Sequence, residues 1–436
     1  MAKHYDVVVL GASLGALTTA ALLARRSWRV LVVGQGYRSP TYSYKSHVLM
    51  RRPFAFLAHR SSVWQSFLAE LAQTQLFRRF MIDGRLSYQF VAPSCAVDCA
   101  GQLVLPPEVS NRCHDTRRVI VESLTHFGAD AAPRAETASR VVESWGESSS
   151  YLVAGEAGLR DFLERRITAH GGELRLGESA RAIVCKRGEV SAIEIERDPA
   201  PIGTRFLVSD LPNARVAALI DPNELAKYPH EKIGRVEVDG KRFVMTILAK
   251  NEGIPEHFDR ELFLASGSSS SDGAVRVHRA PPEAATRAND CVTLVAETIL
   301  PSDDAATLAC AREHVLGVLE RFFPFVEEHY VMIDSPHDAR PLWDYRAEVP
   351  VAVERDWLRA GGGSVYAEPM ETQWAVSGEG ESVRGLLSNL FNVGRTVMPS
   401  LGQEGELVAA WEAAEQITRT DKRREKLWRE TLRAPA

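Results

Sequence analysis

Gly11-Ala12-Ser13-Leu14-Gly15-Ala16 is the stretch whose residue types and spacing are best suited to chemistry. It lies between an apolar run, Tyr5 to Leu10, and a helix-forming run, Thr18 to Arg26. A glycine-bearing turn that opens a helix presents backbone N–H groups, and the positive end of the helix dipole, to a phosphate. Glycine serves where the chain turns sharply and where phosphate must come close to the backbone. Measured against G-x-G-x-x-G, Ser13 stands at the second glycine and Ala16 at the last, so the motif alone is weak. Alanine is tolerated at the last position, whereas serine at the second narrows the approach. A second turn, Gly34-Gln35-Gly36, follows the next apolar run, Arg29 to Val33. There Gln35 can hydrogen-bond a hydroxyl group, more weakly than a charged residue would.

Other reactive residues are scattered. Cys95 and Cys99 share a face if their segment is a strand, which allows a redox or metal pair. No CxxC spacing and no second ligand cluster accompanies them, so reduced, buried thiols are expected. Six cysteines in the chain are too few and too dispersed for a disulfide framework. His114-Asp115 and Ser335-Pro336-His337 are isolated and are expected to be solvated or to cap turns. HExxH, Walker-A and paired-carboxylate motifs are absent from the sequence.

The elements that must hold the first turn read as strand, helix, strand. Continuous apolar runs such as Tyr5 to Leu10 and Arg29 to Val33 belong to strands buried on both faces of a parallel sheet. Together with the intervening helix they make a βαβ unit of dinucleotide-fold length. Further along, Leu86 to Val104 reads as strands of a second sheet, and residues 111–138 read as helical. Ser150 to Gly158 introduces a helix over 159–170, capped by Gly171-Gly172. Short strands follow near 174–176, 182–185 and 192–195, and Phe206 to Asp210 ends another buried strand. Residues 240–300 are strand-rich, broken by the polar loop Ser266 to Gly273. A helix over 303–323, a strand over 387–393 and a closing helix over 406–418 complete the reading.

Composition sets outer bounds. The 436 residues exceed what one small core needs, which suggests two or three domains. Hydrophobic residues at 45% and charged residues at 25% are the balance of a soluble globular protein. A net charge of -5 supplies no basic face for nucleic acid. No apolar stretch approaches the ~20 residues that span a bilayer. The first residues carry no signal-peptide pattern, so a cytoplasmic protein is expected. The tail from Thr420 to Arg433 is basic and sets Leu427, Trp428 and Leu432 nearly on one helical face. It is expected to fray, with peripheral contact to an anionic membrane or a partner as the alternative.

Several segments, in order and spacing, resemble the FAD-dependent phytoene desaturase and amine oxidase group. They are the Gly11 turn, then Tyr151-Leu-Val-Ala-Gly-Glu-Ala-Gly-Leu159, Gly171-Gly-Glu173, Leu176-Gly177, Gly188-Glu-Val190 and Val208-Ser-Asp210. Phe322-Phe-Pro-Phe-Val-Glu-Glu328, Leu390-Phe-Asn-Val-Gly-Arg395 and Pro399-Ser-Leu-Gly-Gln-Glu-Gly405 continue the match, which spans more than half the chain. The resemblance implies an α/β protein: a Rossmann-like FAD-type domain from residues 1–60, 150–222 and 380–436. A sheet-and-helix substrate domain from 61–149 and 223–379 is inserted in it. It also implies a site. Gly11, Ala12, Ser13, Leu14 and Gly15 would line the pyrophosphate, and Ala180 would offer backbone contacts to the adenine. Gly394, Arg395, Gly402 and Gly405 would surround the ribityl chain and flavin ring. The implied reaction passes a hydride from an isoprenoid, lipid or amine substrate to the flavin.

The sequence departs from that pattern at four anchors. Ser13 replaces a glycine, and Gln35 stands where the family has a ribose-binding glutamate. Tyr37-Arg38-Ser39-Pro40 takes the place of a Gly-Gly-Arg segment, and Arg395 that of an aspartate beside the flavin. Each lost hydrogen bond is worth ~1 kcal/mol, which weakens binding by orders of magnitude if the effects add. Two functions remain open at this point. One is an FAD-dependent oxidoreductase; the other is a non-catalytic binding protein on the same scaffold, as in the Rab escort and GDP-dissociation-inhibitor proteins. Arg395 is expected to meet either a phosphate or the carboxylate of Glu404 or Glu406.

Overall fold

Alternating burial on both faces makes the two apolar runs at the N-terminus strands. Val7, Val9, Val30 and Val32 point into one hydrophobic core, and Val8, Leu10, Leu31 and Val33 into another on the opposite face. The computed structural model describes residues 3–44, 47–82, 88–92, 95–98, 151–198, 200–226, 236–256, 258, 260–264, 273–281, 290–338, 340–346, 351–353, 368, 370–376, 380–421 and 427. The helix expected over 111–138, Cys99, His114-Asp115, nearly all of the 266–273 loop, and Trp428 and Leu432 lie outside them.

The chain begins β1 (His4–Leu10), α1 (Leu14–Arg25), β2 (Val30–Val33) and a hairpin of β3 (Thr41–Tyr44) and β4 (His47–Met50). Then come α2 (Ser62–Glu70), α3 (Thr74–Arg78), β5 (Met81–Ile82), β6 (Tyr88–Ala92), β7 (Cys95–Asp98) and β8 (Tyr151–Leu152). The middle holds α4 (Gly155–Ala169), β9 (Glu173–Arg175), β10 (Ala180–Lys186), β11 (Glu189–Ile195), β12 (Ile202–Ser209), α5 (Asn213–Ala217) and α6 (Pro222–Leu225). Next are β13 (Val236–Lys250), β14 (Glu261–Leu264), β15 (Val275–Arg279), β16 (Cys291–Leu300), α7 (Ala305–Phe322), β17 (Tyr330–Asp334) and β18 (Leu342–Asp344). The chain closes with β19 (Val351–Val353), β20 (Glu371–Val376), β21 (Leu390–Asn392) and α8 (Gly402–Arg419).

Strands from three distant stretches share one sheet, in the order β10-β11-β12-β1-β2-β9, with β21 also paired to β12. Its centre is parallel: β1 runs with β12 and β2, β2 with β9, and β12 with β21. One face is covered by α1, α4 and α8, which contribute Leu17, Leu163 and Leu407 to the core. On the other face Val216 of α5 packs with Leu386 and Leu387. Leu427 is buried in the first of these cores, and its amide donates to Thr418 Oγ1 at 3.1 Å. Its side chain is therefore packed inside the protein. Among the described residues no helix is long and apolar enough to cross a membrane.

Both helices that flank the site start earlier than the residue pattern suggests. Helix α4 begins at Gly155, whose φ of +57° only glycine adopts easily, instead of at 159. That extra turn carries Glu156. Helix α8 begins at Gly402, φ +53°, instead of at 406, which places Gly405 and Glu406 in its first turns.

The α1–α8 contact depends on Gly15. A Cβ there would sit 2.1 Å from the carbonyl oxygen of Val393, whose own amide donates to Ser209 O at 2.8 Å just past β21. Gly15→Ala should therefore cost about 2 kcal/mol through overpacking. A urea midpoint equal to that of the wild type would show that the helices can part without loss.

The second sheet runs β19-β18-β17-β13-β16-β15-β14-β6-β7, with β20 also on β13. Phe243, Met245 and Ile247 of β13 face α7, where Val315 and Leu319 complete a separate core. The opposite face packs on the β3–β4 hairpin: Met50 N donates to Thr246 Oγ1 at 3.1 Å, and that hydroxyl donates to Met50 O at 2.7 Å. On this same face the neighbouring strands bury a chain of charges. Arg242 pairs with Glu297, and Arg276 pairs with Glu261 at 3.0 Å, as does His278 at 2.7 Å.

Candidate functional site

The register of the first sheet builds the site. Leu10 of β1 pairs with Ser209 of β12, so Gly11 and Asp210 leave the C-terminal edge side by side. In open α/β sheets that edge is where ligands bind. Gly11 has a φ of +106°, and the chain turns there into Ser13, whose Oγ caps α1 by accepting from Ala16 N at 3.2 Å. The N-terminus of α1 thus opens on a cavity of about 530 Å³. Its walls come from the β1–α1 turn, the Gly34 to Pro40 turn, Arg51-Arg52, Arg160 of α4, Asp210 to Pro212, and Arg395-Thr396. The turn after β17 supplies His337, and the start of β20 supplies residues 370–372, with Glu368 beside them.

The residues expected at the site divide into two groups. Gly11, Ala12, Ser13, Gln35 and Arg395 line this cavity together. Leu14 and Gly15 begin α1 directly behind them. Gln35 holds a left-handed φ of +55°, and its side-chain Nε2 is buried without a partner. Ala180, Gly394, Gly402 and Gly405 are not part of the wall. Ala180 is buried at the start of β10 in the core below the sheet. Gly394 and Gly405 allow backbone to pass backbone: a Cβ would lie 2.1 Å from Asp210 O and 2.3 Å from Met398 O, respectively.

Two carboxylates from elsewhere in the sequence occupy the donors of the turn. Asp210 Oδ2 accepts from Ser13 N at 2.7 Å, and Glu406 Oε2 accepts from Gly15 N at 3.2 Å. Burial pushes the Asp210 carboxyl up to about 6, with Glu406 adding to the rise and the Ser13 hydrogen bonds and Arg160 opposing it. Glu406 is itself held by Arg395, whose Nε donates to Oε1 at 3.1 Å. Arg395 Nη1 reaches Glu371 at 3.5 Å. Of the carboxylates expected for Arg395, Glu406 is the one it meets.

Further cations close the network. Arg52 forks onto Glu156, with Nε to Oε2 at 2.5 Å, and also meets Glu371. Arg160 donates to Glu156 at 2.9 Å and to the Ala12 carbonyl, and its guanidinium lies 4.3 Å from the centre of the Tyr37 ring. Burial opposes ionisation of Glu156, yet Arg52 and Arg160 hold it down to about 2. Burial pushes the Tyr37 phenol up to about 12, so it is a neutral donor at physiological pH. At the far end Glu368 sits between Arg38 at 3.0 Å and Arg51 at 2.6 Å. His337 Nδ1 lies 3.0 Å from the Glu368 carbonyl, which can only accept, so the proton is on Nδ1. Burial lowers its pKa and keeps the ring neutral. Motif reading assigned His337 a solvated or capping role and did not single out Arg52, Glu156, Arg160 or Glu371. The parallel pairing of neighbouring strand ends was the available signal for Asp210.

No family model matches the chain, and no curated protein matches it. Solved structures do. An oxidoreductase from Methanosarcina mazei superposes with a TM-score of 0.58 at 17% identity, covering 92% of this chain and 99% of that one. Putrescine oxidase bound to putrescine gives 0.59 at 13% identity, covering 95% and 99%. The flavin-dependent brominase Bmp2 gives 0.51 at 10% identity, covering 96% and 79%. The chain shares its fold with these proteins. In this fold the first sheet and α1 frame one side of the cavity, and the second sheet, through residues 370–372, frames the other.

Proposed function

We propose that the protein is an FAD-dependent oxidoreductase that holds its dinucleotide in the cavity between the two sheets. The observation that carries this reading is the chemistry of the donor set at the β1–α1 turn. The Ser13 and Gly15 amides and the α1 N-terminus already hold anionic oxygens, those of Asp210 and Glu406. Carboxylates standing on these donors are stand-ins for a diphosphate, and Arg52, Arg160 and Arg395 lie within the same walls. The residues therefore fit the group in kind.

In this reading Gly11 to Gly15 take the diphosphate, and Gln35, with its unpartnered Nε2, takes a ribose hydroxyl. Arg395 lies at the flavin end. The flavin, when bound, accepts a hydride from the substrate. The chain orients both partners and excludes water. His337, neutral and fixed in one tautomer, stands with Thr372 and Met370 on the second-sheet side, where substrate would lie. Among isoprenoid, lipid and amine substrates, this wall suits an amine best, because an apolar chain would leave its polar groups without partners.

Titration of the purified protein with FAD should quench flavin fluorescence to a stoichiometric end point, most clearly at about pH 5.5, on the acid side of the Asp210 titration. The complex should show flavin bands in the blue and near-ultraviolet. Free FAD that keeps its full fluorescence at every pH tested would remove the proposal and leave the binding-protein reading.

A further inference from the structure

We propose that Asp210 is a built-in competitor for the diphosphate of the cofactor, so that FAD binds when this carboxylate gives up the Ser13 amide. The inference rests on the FAD reading above and adds the regulation of that site. The geometry is close. Asp210 lies so near the turn that a Cβ on Gly11 would fall 1.7 Å from Oδ1 and 2.2 Å from Oδ2. The volume directly over the turn, where a diphosphate oxygen would approach, is thus filled by this side chain. The backbone beneath it is fixed, since Asp210 N donates to Leu10 O at 3.0 Å.

Asp210 and Glu406 differ in one respect that decides which of them yields. Glu406 is neutralised by Arg395 at 3.1 Å. Asp210 has no ion-pair partner among the described residues. Facing it are the Ser13 amide and hydroxyl from the start of α1, Glu406 from α8 and Arg160 from α4. A diphosphate brought beside it adds negative charge at van der Waals distance, which favours the protonated acid. Its carboxyl already titrates at about 6, raised first by burial. Binding therefore takes up a proton at neutral pH, and affinity falls as pH rises above that point, by up to about tenfold per unit.

The test is calorimetric titration of the full chain with FAD at about pH 7.5 in two buffers of different ionisation enthalpy, beside the same titration of Asp210→Asn. The wild type should take up close to one proton per FAD. Asp210→Asn should take up none and bind roughly 30-fold more tightly, the factor expected from a titration point ~1.5 units below the working pH. Asp210→Ser serves the same comparison if the asparagine variant does not fold. Wild-type binding without proton uptake, or a folded variant with unchanged affinity and unchanged uptake, would overturn the competitor role while leaving FAD binding intact. Absence of binding by wild type and variants at either side of the titration would instead overturn the function on which it rests.

Discussion

Acidification from pH 4.5 toward pH 2 should strip the folded protein of about 3 kcal/mol of stability per pH unit. Two buried carboxylates set this slope. Burial opposes ionisation of both, but Arg52 and Arg160 hold Glu156, and Arg276 and His278 hold Glu261, each down to about 2 from an ordinary 4.5. A carboxyl depressed in the folded state contributes fully above its unfolded pKa and loses that contribution as pH falls through its folded pKa. Each such proton is worth about 1.4 kcal/mol per pH unit, and two act together here. Glu371 is also held down to about 2, by Arg52 and Arg395 against burial, but its side chain is 37% exposed, so solvent reduces its share. Asp210 works with the opposite sign. Its carboxyl is raised from 3.8 to about 6, so its contribution is complete below 3.8 and is lost as pH rises through 6. Stability should therefore rise modestly as pH drops from 7 toward 5 and then fall steeply. Urea midpoints across this range measure the curve, and Glu156→Gln should cut the acid slope to roughly half. A flat midpoint between pH 4.5 and 2 would mean that these carboxyls titrate alike in the folded and the unfolded chain.

What could be read in the sequence, and what could not, divides along a physical line. Strand runs buried on both faces and the glycine turn at 11–16 depend on neighbours in sequence, and β1, α1 and β2 lie where those neighbours put them. The occupants of the turn depend on partners that are not neighbours. Asp210 is 197 residues from Ser13, and Glu406 is 391 from Gly15. No local spacing records such a meeting. Glycines are ambiguous for a related reason. Gly15, Gly394 and Gly405 look like positions left bare for a ligand, yet each makes room for a carbonyl of this same chain. Glycine marks close approach without saying what approaches. The helices α4 and α8 start early because each begins at a glycine with positive φ; the turn so gained in α4 carries Glu156 to its arginine, and the one gained in α8 sets Glu406, which pairs with Arg395, one turn inside the helix.

Reversing the charge at Arg395 tests whether that arginine holds the cradle together. Arg395→Asp would set a fourth carboxylate beside Glu406, Glu371 and Asp210 and leave Glu406, whose side chain is 2% exposed, without its cation. Removing one partner of a buried pair costs about 3–5 kcal/mol, and the 32% exposure of Arg395 places this case near the lower end. Glu406→Gln in the same chain should recover most of that loss, since glutamine can still accept the Gly15 amide and carries no charge. The double-mutant cycle should return a coupling of at least about 2 kcal/mol. A cost no greater than that of Arg395→Ala, with no recovery on adding Glu406→Gln, would show that Arg395 and Glu406 do not depend on each other. The same variant separates the two carboxylates as guards of the turn. Arg395→Asp leaves Asp210 on the Ser13 amide, so this change alone should not tighten FAD binding. If flavin affinity rises in Arg395→Asp and stays unchanged in Asp210→Asn, then Glu406, through its arginine, is the group that the diphosphate must displace.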